Sequence, residues 1–247
     1  MLLPVWAAAL SCHSGSIPQR SVLNPEIKGH SDPVLLGKST RERLQQLPYD
    51  SWFVKNYNDY PVDSPAADGL KSRLAGKQLK IFMGTWCGDS RREVPRIFRI
   101  LDYCGIPSSS TELIMVDNND STYKQSPGHE EKGLYLFRVP DLLIYDGEKE
   151  LGRIVESPVV SLEKDLLAIL NGDGYTPHYP AAIILGNEFR TKELPEIRNE
   201  LPVLADRIRP VVKVAPELRS YAHVLRTAGE KEKADIVLEI SALIFPK

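Results

Sequence analysis

The chain has 247 residues, enough for one large domain or a medium one with additions. Apolar residues make up 42% and charged residues 26%, and 31 Lys and Arg against 33 Asp and Glu leave a formal charge of −2. This balance excludes a disordered chain and offers no basic excess with which to hold nucleic acid. Three cysteines, at 12, 87 and 104, exclude a disulfide-rich scaffold and a zinc site built from four cysteines. Any thiol chemistry therefore runs on very few sulfurs.

The apolar run over residues 2–10 is too short to span a bilayer as a helix and suits the core of a signal peptide. Ala7-Ala8-Ala9-Leu10-Ser11-Cys12 resembles a bacterial lipoprotein signal, whose cysteine carries the lipid after cleavage. It departs from that pattern in having no Lys or Arg before the run and Ala9 where the usual leucine stands. Residues 1–19 are expected to direct export to the periplasm or cell envelope of a bacterium, with Cys12 a candidate lipid anchor and a plain secretory signal the alternative. If the segment is no signal, the chain is cytoplasmic. No other segment approaches the ~18 apolar residues of a spanning helix. From 14 to about 33 the chain is polar and without apolar period, which reads as a tether, and organised structure is expected only after Gly37.

Ser39 and Thr40 can cap a short helix through Leu44 and Leu47 that Pro48 stops. Tyr49, Trp52, Phe53, Tyr57 and Tyr60 then recur mostly at helical spacing, the mark of a helix packed on its neighbour. A further helix over 66–74 ends at Gly76. The run 78–84 reads as a strand that turns at 85–90 into a helix over 91–103, with Val94, Ile97, Phe98, Ile100 and Leu101 inward and Gly105 at its close. Residues 112–117 form a buried-type strand and 118–133 a polar loop with a short helix. Two strands, 140–145 and 150–155, are joined by the turn 146–149, and a helix over 161–170 follows.

Beyond Asn171-Gly172-Asp173-Gly174 the pattern turns helical, with helices expected from Ala181, from Glu193 and over 202–209. Leu218, Tyr221, Ala222, Leu225, Gly229, Ala234, Leu238, Ser241 and Pro246 resemble in spacing one tetratricopeptide unit, a helical hairpin over 217–246 turning near Gly229. Such arrays need about three units to stand alone, so a single hairpin is expected to pack on its neighbours, with a peptide-binding groove the lesser alternative.

The turn Trp86-Cys87-Gly88-Asp89-Ser90 places a sulfur at a helix N-terminus, where unpaired backbone N–H groups and the positive end of the helix dipole favour the thiolate, the reactive form. Arg91 adds to this and Asp89 opposes it. Cys87 is placed to attack a disulfide, a sulfenic acid or a glutathione adduct. Ser90 cannot release the resulting mixed disulfide, because resolution requires a second thiolate. Cys104, at the far end of the same helix, is about 20 Å away at 1.5 Å per residue and reads as a buried small hydrophobe. Arg91, Arg92, Arg96 and Arg99 read as the solvated face of this helix, with an anion-docking strip as the lesser alternative. His129 has no partner at metal-ligand spacing, so neither metal nor cofactor is expected, and there is no Gly-rich phosphate loop or nucleophile elbow.

Over about 63–172 the element order and the residues at its joints resemble the thioredoxin family. Trp86-Cys87-Gly88-Asp89-Ser90 is similar to the family's Trp-Cys-Gly-Pro-Cys motif at a strand-to-helix turn; Pro95 falls where the family commonly has a helix-kinking proline; Val116-Asp117 ends a strand; and Val139-Pro140 stands at the family's cis-proline. The resemblance implies an α/β, thioredoxin-like fold, a central mixed sheet flanked by helices, over 63–172. A linker and N-terminal helical extension would occupy 20–62 and an all-α domain 173–247. It implies a catalytic role for Cys87 and Ser90 and a substrate-binding role for Trp86, Gly88, Asp89, Val139 and Pro140, with Pro140 shaping an edge for an extended peptide. The chain departs from the family at Ser90, where the resolving cysteine belongs, and at Ile81, where the family keeps a buried acid. Both departures suit chemistry resolved from outside. The expected function is monothiol thiol–disulfide exchange on protein or peptide thiols and disulfides, with an external low-molecular-weight thiol as a candidate partner. The alternative is a redox-inactive module of the same fold that binds proteins or peptides, with Ser90 a plain helix cap. Glutathione-dependent iron–sulfur binding trails both, since monothiol glutaredoxins carry Phe where Asp89 stands.

Overall fold

In the computed structural model, which describes residues 26–27 and 33–246, the strand-forming runs assemble into one five-stranded sheet. The central pair is parallel, β4 (Gln78–Met83) beside β5 (Thr111–Met115). Antiparallel neighbours complete the sheet: β3 (Gly37–Ser39) lies against β5, while β6 (Asp141–Asp146) joins β4 and β7 (Lys149–Val155) joins β6. Period-two alternation divides the side chains between two faces. Leu79, Ile81, Met83, Leu113, Met115, Leu142 and Ile144 enter one core, and Phe82, Ile114, Val116 and Leu143 enter another on the opposite face.

Helices cover the first face. They are α1 (Arg41–Leu44), α2 (Asp50–Asn58), α3 (Ser64–Leu74), α4 (Gly88–Tyr103) and α5 (Leu162–Asn171), which contribute Leu44, Phe53, Leu70, Val94 and Leu166 to one core. Thr40 caps α1 by accepting from the Arg43 N–H, Asp63 caps α3 from Ala66, and Ser161 caps α5 from Lys164. Helix α1 stops at Leu44, so Leu47 is exposed rather than part of it. The opposite face is covered by Leu136 and Val139, with Trp86 packed against them.

Two expectations are corrected. Organised structure begins before Gly37, and the segment 20–62 is not purely linker and helix: β1 (Glu26–Ile27), inside the expected tether, pairs with β2 (Val34–Leu35), and β3 forms an edge of the main sheet. Strands of two and three residues are too short to show alternation, and the contacts that hold them are remote, such as the Leu35 N–H donated to Thr85 Oγ1 at 3.2 Å. Residues 118–133 contain turns and no helix. The apolar run 2–10 and Cys12 lie outside the described residues. Among the described residues no helix is long and apolar enough to cross a membrane.

The remaining helices are α6 (Pro180–Thr191), α7 (Leu194–Asn199), α8 (Leu201–Ile208), α9 (Ala215–Thr227) and α10 (Lys231–Ile244). They share a separate core that includes Leu185, Ile208, Leu218, Tyr221, Val237 and Ile240. Phe137, from the segment leading into β6, enters this core edge-on to Tyr221 at 5.4 Å and to Tyr179 at 5.2 Å. The α9–α10 hairpin thus packs on its helical neighbours and on the segment that precedes Pro140.

A buried acid is present, but not at position 81. Ile81 is apolar and pairs in register with Leu142, while the neighbouring Asp141 lies fully buried opposite Phe82. Its Oδ2 accepts from Arg153 at 3.1 Å, and Arg153 also grips Glu150 through two nitrogens at 2.7 and 2.8 Å. Asp141 Oδ1 has no partner, and burial pushes the carboxyl up to about 6, against the pull of Arg153. The folded state therefore holds a proton that an unfolded carboxyl, near 3.8, has released. Between these values the folded state binds more protons, so this group's contribution to stability is present below pH 4 and is lost as pH rises through 6. Asp141→Asn is expected to remove that loss. In urea unfolding, the difference between the variant and the wild type should move in favour of the variant from pH 4 to 6, by about 3 kcal/mol at most. A difference that stays constant across the window counts against the buried acid.

Candidate functional site

Strand β4 ends at Met83, and the chain turns through Gly84 as the Cys87 N–H donates to the Gly84 carbonyl at 3.0 Å. A side chain at Gly84 would collide with the Trp86 indole, whose atoms lie 2.4 to 2.8 Å from where its Cβ would be. The absence of that side chain lets the indole fold back and donate from Nε1 to the Val116 carbonyl at 2.9 Å, bridging the ends of β4 and β5. Cys87 is the N-cap residue of α4, so its sulfur stands where the first helical N–H groups are unpaired. The side chain is half-buried, and Sγ donates to the Val139 carbonyl at 3.3 Å, next to the cis Val139–Pro140 peptide. Trp86, Cys87, Val139 and Pro140 thus meet in space.

The other sequence-derived candidates are distributed differently. Ser90 is fully buried in the first turn of α4, and its hydroxyl accepts from the Gly84 N–H at 3.3 Å. It is not the helix cap, because that position belongs to Cys87. Gly88 is exposed with open space around it, and Asp89 pairs with Arg92 at 2.8 Å. Arg91 turns to the Thr85 carbonyl and sits 5.9 Å over the Trp52 ring. Arg96 and Arg99 cover the rings of Tyr60 and Tyr57. Arg91, Arg96 and Arg99 thus pack on the aromatic segment 49–60 while Arg92 pairs with Asp89 and Glu93, so the arginine face of α4 is part solvated and part packed. Cys104 is buried at the far end of α4, donates to the Ala67 carbonyl at 3.4 Å, and has its thiol pushed up by burial.

The polar loop after β5 supplies groups that no sequence pattern marks. The Asp117 carboxylate accepts from the N–H groups of Asn118 and Asn119 at 2.8 and 3.2 Å and from the Thr122 hydroxyl at 2.6 Å. Its backbone binds Lys124 and Gln125 at 2.8 and 2.9 Å, which closes the loop on itself. Where the loop closes, Lys124 adopts a positive φ of 60° and buries its side chain, with Nζ donating to the Phe137 carbonyl at 2.7 Å. It has no ion pair among the described residues. Burial lowers its pKa to about 8, Arg138 pushes the same way, and Cys87, Glu156 and Asp141 oppose. The carbonyls of Phe137 and Val139, two residues apart and so at most about 7 Å along the chain, therefore hold an amine and a thiol. Tyr123 places its ring 6.3 Å from Trp86 and 5.5 Å from His223. A lysine in a polar loop carries no signal of burial; only the closed Asp117 turn shows why it points inward.

A nucleophile at a helix start, a carbonyl that orients it and a nearby amine that is partly unprotonated near neutral pH together suit sulfur exchange. No family model, curated protein or solved structure matches the chain.

Proposed function

We propose that this is a thioredoxin-like protein whose single reactive sulfur, Cys87, exchanges with protein or peptide disulfides and relies on an external thiol for release. The observation that carries the reading is the half-buried Cys87 Sγ, at the N-cap of α4 and 3.3 Å from the carbonyl before Pro140, with a buried hydroxyl at position 90. The sheet order β3-β5-β4-β6-β7, with the sulfur at the turn from β4 to α4, supports the same reading.

In the proposed reaction the Cys87 thiolate attacks one sulfur of a substrate disulfide. A new S–S bond forms to Cys87, the old one breaks, and the departing sulfur leaves with the electron pair and takes a proton. The Ser90 hydroxyl cannot repeat that attack, so the adduct persists until a thiol arrives from outside. Export of the protein is proposed on the apolar run 2–10 alone. The test is capture of mixed disulfides from a cell-envelope extract by the full chain. Adducts that reductant removes are expected with the wild type and absent with Cys87→Ser. The same adducts in both proteins, or none in either, would overturn the exchange reading and leave a module that binds without turnover.

A further inference from the structure

Between the loop that carries Lys124 and helix α9 lies a cleft of about 480 Å³. That volume is within the ~300–1,000 Å³ range of small-molecule sites. Tyr123 and Lys124 line it from the loop, Arg138 from the segment before Pro140, and Arg219 and His223 from α9; Asp120 is the one acid among the lining residues. Two of the cations have unused capacity. Arg219 is exposed and has no ion pair among the described residues. Arg138 reaches its nearest carboxylate, Glu156, only at 4.0 Å, and its partly exposed guanidinium otherwise rests 4.9 and 5.0 Å from the rings of Phe137 and Tyr179. A guanidinium with free N–H groups is suited to hold a carboxylate in a fixed orientation. Two of the lining residues also border the surroundings of the sulfur: the Tyr123 ring lies 6.3 Å from that of Trp86, and Lys124 donates to the Phe137 carbonyl, two residues before the carbonyl that accepts from Cys87.

We propose that this cleft docks the resolving thiol, and that this thiol is a small molecule bearing carboxylates, held by Arg138 and Arg219. The inference rests on the exchange reading of Cys87 and adds the class of reductant and its place. In the step, the docked thiolate attacks the Cys87 sulfur of the mixed disulfide. A bond forms between the two, and the substrate sulfur departs with the electron pair and is protonated. A second molecule of the same thiol then attacks the small thiol's sulfur in that adduct and frees the Cys87 thiolate. Two small thiols are oxidised to one disulfide as one substrate disulfide is reduced to two thiols.

The test starts from the full chain carrying 2-thiopyridine in mixed disulfide at Cys87, with Cys87→Ser as the blank. Release of 2-thiopyridone is timed with mercaptosuccinate, neutral 2-mercaptoethanol and cationic cysteamine. Each rate is divided by that of the same thiol on the 2-thiopyridyl disulfide of free cysteine, which removes differences in nucleophilicity. Mercaptosuccinate is expected to exceed 2-mercaptoethanol roughly tenfold or more, cysteamine to fall below both, and the advantage to shrink with added salt. Arg219→Glu, at an exposed position that leaves the core untouched, should bring the mercaptosuccinate to 2-mercaptoethanol ratio down to about one. Equal normalised rates in the wild type, or a ratio that Arg219→Glu does not change, would overturn the docking proposal while leaving the exchange reading intact. Failure of Cys87 to accept 2-thiopyridine at all would overturn both.

Discussion

On the exchange reading proposed for Cys87, Ser90→Cys is expected to shorten the lifetime of its mixed disulfides ~100-fold or more. Position 90 follows Cys87 by one turn of α4, so the two side chains are neighbours with Cβ atoms about 5–6 Å apart, and a small shift closes a disulfide between them. A thiolate on the same helix attacks intramolecularly, which removes the search for an external partner. The change has a structural cost, because the Gly84 N–H now donates to the Ser90 oxygen and sulfur is the weaker acceptor; about 1 kcal/mol is expected. Two measurements report the outcome: adduct lifetime in the trapping experiment and turnover on a peptide disulfide with dithiothreitol as reductant. Unchanged adduct lifetime in a folded Ser90→Cys protein would show that position 90 does not line up with the captured sulfur.

Phe53→Ala is expected to lower stability by about 3–5 kcal/mol, read as a shift of the urea midpoint. Phe53 is fully buried, with ring centroids 6.1 Å from Trp52, 6.3 Å from Tyr57 and 6.2 Å from Phe98 of α4. The cavity would open under the helix that carries the sulfur. Helix α2 holds the first turn of α4 in two further ways: Asn56 donates to the Arg91 carbonyl at 3.1 Å, and the Arg91 guanidinium rests on Trp52. Loss of Phe53 should therefore also change the alkylation rate of Cys87, although the two residues are not in contact. A loss below about 1 kcal/mol with unaltered alkylation would mean that α2 is an appendage and not a support.

Most regular elements were legible because their signals are local. The apolar alternation of 78–83, the amphipathic period of 91–103 and the glycine and proline stops need only neighbouring residues to be read. Trp86, Cys87 and Val139-Pro140 were legible as a set through their resemblance to the active-site motif and cis-proline of the thioredoxin family. What stayed hidden depends on contacts made across the chain. Strand β3 exists through its pairing with β5, some 75 residues later in sequence. Lys124 gains its character from burial under Phe137, and its loop is tied to α9 by Gln125, which donates to the Thr227 carbonyl at 2.9 Å. A helical period shows the arginines of α4 on its solvated side but does not reveal that Tyr60 and Tyr57 of another segment lie beneath Arg96 and Arg99. Residue type alone allows Ser90 to be a helix cap as the alternative to a catalytic role; the turn geometry gives the cap position to Cys87.

The three residues of β3 also determine where the chain tolerates being cut. Lys38 reaches Glu112 and Lys80 reaches the same carboxylate, so one ladder of charges runs across β3, β5 and β4. A fragment beginning at residue 63, the boundary suggested by element order, would lose both α2 and this strand. The backbone of Leu113, Ile114 and Met115 would then lie open along an apolar edge, the kind of surface that recruits strands from other molecules. A fragment of the α/β unit is therefore expected to stay monomeric only if it begins near residue 33, so that the short segment ahead of the aromatic helix keeps this edge paired.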